Sequence, residues 1–284
     1  MIKTYIRQVL SAILSVLLVF TTGSLDAVAQ QPAAAGATEY SGQGAPLSAV
    51  QLEQLVAPIA LYPDALVAQV LGASTFPDQV AAANDWLQQN KSLTGTSLME
   101  AVDKQPWDPS VKALTQFPSV LDNLAKNLSW TSSLGEAYHT QAADVMSAVQ
   151  SLRARAKAAG NLQSGSQITV VQQAPQTIVI QPTNPQIVYV PTYNPTVVYG
   201  APVTTPGYST AAVVTTAVLA FGIGIAVGAA INNSWGYSYW NCNWHGGTVV
   251  YHSSGYYGNS AWHGGYYGSS ASAYGPYGSG TSHR

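Results

Sequence analysis

The chain has 284 residues, which allows one or two domains, and it carries little charge. Asp, Glu, Lys and Arg make up 8% of it, against about 25% in ordinary globular proteins. The net charge of −2 argues against a basic surface that would bind nucleic acid, and the single cysteine excludes an internal disulfide. Between Lys157 and Arg284 there is no Asp, Glu, Lys or Arg, so the two halves of the chain differ in kind.

Residues 1–29 have the three parts of a secretory signal peptide: a positive start, a short apolar run and a small-x-small cleavage pattern. The apolar run, Val9 to Phe20, is 12 residues long, whereas a membrane span needs about 20. We expect cleavage after Ala27-Val28-Ala29 and export to the periplasm or cell envelope of a bacterium. An uncleaved signal anchor is the alternative. Residues 30–46 are rich in small residues and predict a flexible leader.

Residues 47–162 predict a small multi-helix domain. Apolar residues recur there at three- and four-residue spacing, and proline or a capping side chain precedes most of these stripes. Proline suits a first helical turn because its missing N–H would have no partner there. The last helix is expected to be the longest, and cations in its final turns favour the negative end of the helix dipole. The expected helix starts are Ser48, Pro63, Pro77, Ser97, Pro109, Pro118 and Ser132, and the expected cations are Arg153, Arg155 and Lys157.

Residues 163–210 predict short strands or extended chain, because β-branched runs alternate there with proline and asparagine. Two units repeat closely, Asn184-Pro-Gln-Ile-Val-Tyr189 and Asn194-Pro-Thr-Val-Val-Tyr199. Prolines this dense favour edge strands, so we expect small hairpins that pack on the helices or offer an edge to a partner. The expected strands are 168–171, 178–180, 187–190 and 197–199.

Residues 211–231 form a stretch of 21 residues without charge, long enough for a transmembrane or membrane-associated helix. Ala220, Gly224 and Gly228 recur every four residues, a face through which such helices form homo-oligomers. A buried glycine-rich hairpin in an oligomer and a weakly hydrophobic soluble helix are the alternatives. An inner-membrane span would place the C-terminal flank in the cytoplasm, where Lys and Arg are normally found, yet that flank holds only Arg284.

Residues 232–284 are rich in Gly, Tyr, Ser and His and poor in aliphatic residues, which predicts a disordered tail of low complexity. A repeat links Trp244-His-Gly-Gly247 to Trp262-His-Gly-Gly265. The tail could bind zinc or copper, because thiol and imidazole groups are ligands that these metals accept. The candidate metal ligands are Cys242, His245, His252 and His263.

The mature sequence has no recognisable catalytic site. Acyl transfer needs a nucleophile, a histidine and an acid, and no G-x-S-x-G pattern accompanies His139, the one histidine of the helical region. Helix capping accounts for Asp64, Asp78 and Asp108, which lie where helices are expected to start. We therefore expect no enzymatic activity.

Several short motifs in combination resemble a bacterial family known as domain of unknown function 3300. They are Leu61-Tyr-Pro-Asp64, Trp107-Asp-Pro109, Phe117-Pro118, Asn184-Pro with Val188-Tyr-Val-Pro191, and Tyr193-Asn-Pro195 with Val198-Tyr-Gly200. The resemblance covers roughly residues 47–232. It implies an exported or membrane-associated bacterial protein, with no assigned activity, catalytic residue or cofactor.

The fold expected from these segments is mainly α, with short strands, one glycine-containing apolar helix and a disordered tail. The expected function is a structural or interaction role in the cell envelope, with an envelope protein or the cell wall as partner and anchoring or oligomerisation through 211–231. The alternative is a periplasmic binding module that holds a transition metal or cell-wall glycan through its His/Trp/Tyr-rich tail.

Overall fold

A computed structural model describes residues 46–173, 176–209, 219–228 and 233–260. All of them belong to one of two units into which the chain divides, Glu39–Arg284. The predicted signal peptide, nearly all of the predicted leader, and the C-terminal residues 261–284 lie outside the described residues.

Seven helices occupy the described region up to residue 158, and the prediction of a mainly α fold with short strands is confirmed. Ser48 caps the first helix through a capping box with Gln51. Pro77, Pro109 and Pro118 each stand in a first helical turn, as predicted. The helices are α1 Ala49–Val56, α2 Asp64–Ser74, α3 Pro77–Gln89, α4 Gly95–Asp103, α5 Pro109–Leu114, α6 Pro118–Lys126 and α7 Leu128–Ala158.

Helix α7 is the longest of these, and α1, α2, α3 and α6 pack against it. It begins at Leu128, four residues before the predicted start, and it is kinked at Gln141, which has non-helical φ −136 and ψ 40. The Gln141 side chain accepts a hydrogen bond from Leu47 N (2.8 Å) and donates one to Leu47 O (3.0 Å). The kink therefore coincides with the point where the chain enters the helical core. The buried Trp130 links α7 to α1, because its indole N–H donates a hydrogen bond to Leu55 O (3.0 Å).

The first two strands, β1 Ile168–Gln173 and β2 Thr177–Pro182, form the hairpin that the sequence predicted. Its Ile168, Ile178 and Ile180 are buried in the same hydrophobic core as the helices. The hairpin therefore packs on the helical body, which was one of the two arrangements expected.

The two Asn-Pro repeats begin alike and then diverge. In each, the asparagine Oδ1 accepts a hydrogen bond from the backbone two residues on, Asn184 from Gln186 N (2.9 Å) and Asn194 from Thr196 N (3.0 Å). The first repeat continues into strand β3, Ile187–Val188, whereas the second continues into a short helix, α8, Pro195–Val198. The predicted strand 197–199 is thus wrong, because Asn194 caps a helical turn with proline in its first position.

The predicted glycine-containing helix 211–231 is wrong where the structure describes it, because residues 219–221 and 225–226 form two short strands. Strand β4, Pro191–Tyr193, pairs antiparallel with β5, Leu219–Phe221, and β3 pairs with β6, Ile225–Ala226. Between the two ladders, residues 189–190 face residues 222–224, one extra residue as in a β-bulge. Hydrophobic periodicity alone cannot distinguish a short apolar strand from a helix. Here strands β3 and β4 supply the backbone hydrogen-bond partners that make these residues strand.

The small residues expected on a helix–helix face lie along this ribbon instead. Ala220 pairs with Thr192, and a Cβ on Gly224 would lie 2.6 Å from the Ile187 side chain, so glycine permits the close approach of the two strands. Gly228 lies beside Gln186. Among the described residues, no helix combines the length and the hydropathy needed to cross a bilayer.

Residues 233–260, predicted as disordered tail, are folded onto the helices. A 3₁₀ turn, Tyr237–Tyr239, leads into a three-stranded antiparallel sheet. The prediction failed because aromatic rather than aliphatic side chains provide the buried apolar surface. The strands are β7 Trp240–Asn243, β8 Thr248–Tyr251 and β9 Ser254–Tyr256, and the buried residues include Trp235, Tyr237, Trp240, Cys242 and Val249.

Hydrogen bonds from the helices fix this sheet in place. The Tyr138 hydroxyl on α7 donates to Tyr256 O and accepts from Val249 N (3.1 Å). Burial raises the pKa of Tyr138 to about 12. Trp235 donates its indole N–H to Asp103 Oδ1 (2.9 Å). Because every one of these contacts joins the sheet to a helix of the first half, residues 233–260 are part of the folded unit.

Candidate functional site

A buried ion pair lies where the helices meet the hairpin and the C-terminal sheet. Asp64 is the first residue of α2, and Arg153 lies near the end of α7. Arg153 Nη1 is 2.6 Å from Asp64 Oδ1, and the two side chains are 0% and 6% exposed. The sequence analysis had assigned Asp64 to capping and Arg153 to the helix dipole. Both lie at helix ends as expected, but they pair with each other in the interior.

The guanidinium of Arg153 is satisfied by backbone carbonyls as well as by the carboxylate. Nε donates to Ala60 O (2.8 Å), Nη1 to Ile178 O (2.8 Å) and Nη2 to Tyr62 O (2.9 Å). A buried charge persists when it is paired and its donors are satisfied. Arg153 thereby joins α7, the segment that precedes α2, and strand β2.

Trp244, which follows β7, completes this arrangement. Its indole N–H donates to Asp64 Oδ2 (2.7 Å), and the Arg153 guanidinium carbon lies 4.6 Å from the ring centroid. Asp64 Oδ1 also accepts from Ile180 N (3.1 Å). We call Asp64, Arg153 and Trp244 the Asp64 cluster. It holds the indole by its N–H and covers one of its faces with a cation.

An open cleft of about 730 Å³, the Trp244 cleft, lies beside this cluster. Its volume falls in the range of about 300–1,000 Å³ that is typical of small-molecule sites. None of its lining residues, all within the described part of the chain, is Asp, Glu, Lys or Arg. The lining consists of Ser147, Gln150, Ser151, Ala154, Gln172, Gln176, Thr177, Ile178, Trp244 and His245.

Hydrogen bonds to the body of the protein hold several of the polar lining groups. The Gln150 amide accepts from Ile178 N (2.7 Å) and donates to Ile178 O (3.0 Å), so it covers the outer edge of β2. Gln172 Oε1 accepts from Lys157 Nζ (2.6 Å). The Ser151 hydroxyl donates to Glu53, which also pairs with Arg155 (3.0 Å). The cleft is therefore largely preformed, and Glu53 and Lys157 are bonded to side chains of its neutral lining.

The structure places three of the four predicted metal ligands, and it does not bring them together as a site. Cys242 is buried, and its thiol donates to Asp64 O (3.3 Å). His245 lines the Trp244 cleft, while His252 stacks on Tyr239 with ring centroids 4.2 Å apart. No three His, Cys, Asp or Glu side chains of the described residues gather as a metal would require.

Two further facts bear on the metal prediction. Burial raises the pKa of the Cys242 thiol well above its usual value, which disfavours the thiolate that metals bind. His263 lies outside the described residues.

A second cleft, of about 440 Å³, is mostly apolar and lies between the α3–α4 loop, the α5–α6 corner and β6. Leu98, Met99 and Ile225 line it, with Lys91 and Gln116 as polar members. The Gln116 Oε1 atom is buried there without a hydrogen-bond partner in the described structure. Unlike the Trp244 cleft, it has no aromatic ring among its described lining residues.

The Trp244 cleft is not predictable from the sequence, although the repeated Trp-His-Gly-Gly unit is visible there. A local motif could not show that its first copy packs beside α7 and β2. That copy sits in a turn whose Gly247 has φ +63, and a Cβ there would lie 2.6 Å from the Cβ of Ala143 on α7. Glycine at this position therefore allows the turn that carries Trp244 and His245 to lie against the helix.

Comparisons with known proteins give a family but no activity. The chain is 42% identical over 136 residues to "Uncharacterized protein YacH" of Escherichia coli (strain K12), a match that covers 48% of this chain and 22% of YacH. No solved structure matches. The family model described as "Protein of unknown function (DUF3300)" matches residues 48–272, well past residue 232, where the predicted resemblance ended. Since that match spans most of the sequence, the chain belongs to the DUF3300 family.

Proposed function

We propose that this protein is a non-enzymatic component of the bacterial cell envelope whose folded unit binds an envelope ligand in the Trp244 cleft. The observation that carries the proposal is the lining of that cleft. It presents a fixed aromatic ring and neutral hydrogen-bonding groups, with His245 as the ionisable side chain on the described wall. General acid–base chemistry usually needs a second group placed across the substrate, whereas binding needs only shape and complementary polarity.

The envelope location rests on the sequence of residues 1–29. A positive start, a short apolar run and an Ala-x-Ala end direct a chain to the export machinery and to cleavage before Gln30. The partner would be reached outside the cytoplasm, either in the cell wall or on another envelope protein.

The location is tested by fusing residues 1–46 to a reporter enzyme that is active only after export. We expect an active reporter and a product that begins at Gln30, with cleavage blocked when Ala27 and Ala29 are replaced by bulky residues. An inactive reporter would contradict export, and an active but uncleaved fusion would support the signal anchor instead.

Binding in the cleft is tested by site-specific photo-crosslinking in envelope preparations. A photoreactive side chain at Gln176, on the exposed rim of the cleft, should capture envelope material. The same side chain at Lys126, an exposed residue that does not line the cleft, is the matched control. Equal capture at both positions, or none at Gln176, would refute a binding role for this cleft.

A further inference from the structure

We infer that the Trp244 cleft takes an uncharged saccharide, an inference that rests on the proposed binding function and names its ligand class. Three features of the cleft carry it: the state of the Trp244 ring, the polarity of the lining and the closed edge of strand β2.

The Trp244 ring offers a ligand only apolar contact. Its N–H is committed to Asp64 Oδ2, and the Arg153 guanidinium covers one face. What remains for a ligand is the part of the ring that lines the cleft. A pyranose ring has a flat face of C–H groups that matches such a surface. The indole is already held in place, so binding orders no free side chain here.

The rest of the lining suits hydroxyl groups. Ser147 and Thr177 carry hydroxyls, Gln176 carries an amide, and His245 carries an imidazole. These groups donate and accept hydrogen bonds, as each sugar hydroxyl also does, although Ser147 already donates to Ala143 O (2.8 Å) and offers its acceptor side only. A carboxylate or phosphate placed against this wall would lose hydration without meeting a lining cation, which is costly. The described cations that contact lining residues are already bonded, Arg153 to Asp64 and Lys157 to Gln172.

The neutral polarity of the lining also favours a sugar over a nucleotide as the ligand. A nucleobase could also stack on an indole, but nucleotide sites add positive charge for the phosphates. The lining of the Trp244 cleft supplies no such charge within the described residues. Stacking on a neutral, hydroxyl-bearing ring is therefore the better match.

The closed edge of β2 argues against an extended peptide as the ligand. Peptides commonly bind by adding a strand to an exposed sheet edge. At this cleft the edge of β2 is occupied, since Gln150 bonds both backbone groups of Ile178 and Asp64 accepts from Ile180 N. An added strand would have to displace these bonds, one of them to a buried carboxylate.

Isothermal titration calorimetry of the purified chain tests this inference. The probes are neutral oligosaccharides of hexose and of N-acetylhexosamine, with an oligouronate, a mononucleotide and an uncharged peptide for comparison. We expect heat of binding from a neutral oligosaccharide alone. His245→Ala and Gln176→Ala should each weaken it by about three- to tenfold, the loss of one hydrogen bond. Both residues are exposed, so these variants keep the fold, which circular dichroism verifies.

His252→Ala is the matched control, an exposed histidine outside the cleft lining, and it should leave the affinity unchanged. Binding of the oligouronate, nucleotide or peptide in preference to every neutral sugar would overturn the saccharide class. So would a sugar affinity that His245→Ala and Gln176→Ala leave unchanged. If Gln176 still crosslinks envelope material in those cases, the proposed binding function survives; if it captures nothing, that function fails as well.

Discussion

Removing the carboxylate of Asp64 should be among the most damaging single changes in the described structure. Asp64→Ala would leave the Arg153 guanidinium in the interior without its counter-ion. It would also take an acceptor from Ile180 N and from the Trp244 indole. Breaking a buried pair from one side costs about 3–5 kcal/mol, because an uncompensated charge stays buried.

Urea unfolding, followed by circular dichroism and tryptophan fluorescence, measures this cost. With an m-value of about 2 kcal/mol per M, a loss of about 4 kcal/mol lowers the midpoint by about 2 M. Asp122→Ala is the matched control, because Asp122 pairs with the exposed Lys126 one helical turn away. Such a surface pair stabilises the fold by about 0.3–0.5 kcal/mol, so the urea midpoint of Asp122→Ala should hardly differ from that of the wild type.

The result that would refute this reasoning is a similar, small shift in both variants. In that case the Asp64–Arg153 pair would contribute no more than a solvated surface pair. Asp64→Asn separates charge from shape, since it keeps an acceptor for Ile180 N but removes the counter-ion. It should fall between the wild type and Asp64→Ala.

Three other predictions concern the packing and the buried hydroxyl and thiol groups. Gly135→Ala should destabilise the fold by about 1–3 kcal/mol in thermal unfolding, because its Cβ would lie 2.1 Å from Ser74 O. Gly165→Ala, whose Cβ would meet only a side chain at 3.7 Å, should change the free energy of unfolding by less than about 0.5 kcal/mol; equal effects would contradict the packing argument. The raised pKa of Tyr138 favours its neutral form in the folded state, so it contributes stability that is present below pH 10 and is lost as pH rises to about 12. Alkaline denaturation should therefore depend less steeply on pH in Tyr138→Phe, and an unchanged slope would refute the assignment. Cys242, buried with a raised thiol pKa, should react with a chromogenic disulfide reagent only on unfolding, and fast labelling of the native chain would contradict its burial.

The helical half of the fold was predictable because its signals are local. A capping box at Ser48 and prolines at positions 77, 109 and 118 mark helix starts within four residues of sequence. Propensity and spacing decide such features without reference to distant parts of the chain.

The remainder of the fold depends on partners far away in sequence. Residues 219–221 and 225–226 are apolar or small, and pairing with β4 and β3 makes them strands. The repeat at Asn194 was predicted to be a strand because its sequence matches the repeat at Asn184. An asparagine cap followed by proline in the first turn also starts a helix, however, and that is what forms at Asn194. The sheet within residues 233–260 was not predicted because its buried apolar surface comes from aromatic residues such as Trp235 and Trp240 rather than from aliphatic ones.

The candidate site was the least predictable part. Asp64 and Arg153 lie 89 residues apart, and each had an adequate local explanation. Local patterns also could not show that Trp244 rests on both of them. The Trp-His-Gly-Gly repeat indicated aromatic, polar chemistry in general, but the cleft itself exists only where the turn after β7 meets α7 and β2.

The Asp64 cluster has a consequence for the order in which the unit folds. The three groups bonded to the Asp64 side chain come from residues 89, 116 and 180 positions further along the chain. Loop-closure entropy opposes contacts of such separation until the intervening segments are in place. We therefore expect the helices to form early and the contact with Trp244 to form last. Substitutions in residues 233–260 should then act chiefly on the rate of unfolding and leave the rate of folding almost unchanged.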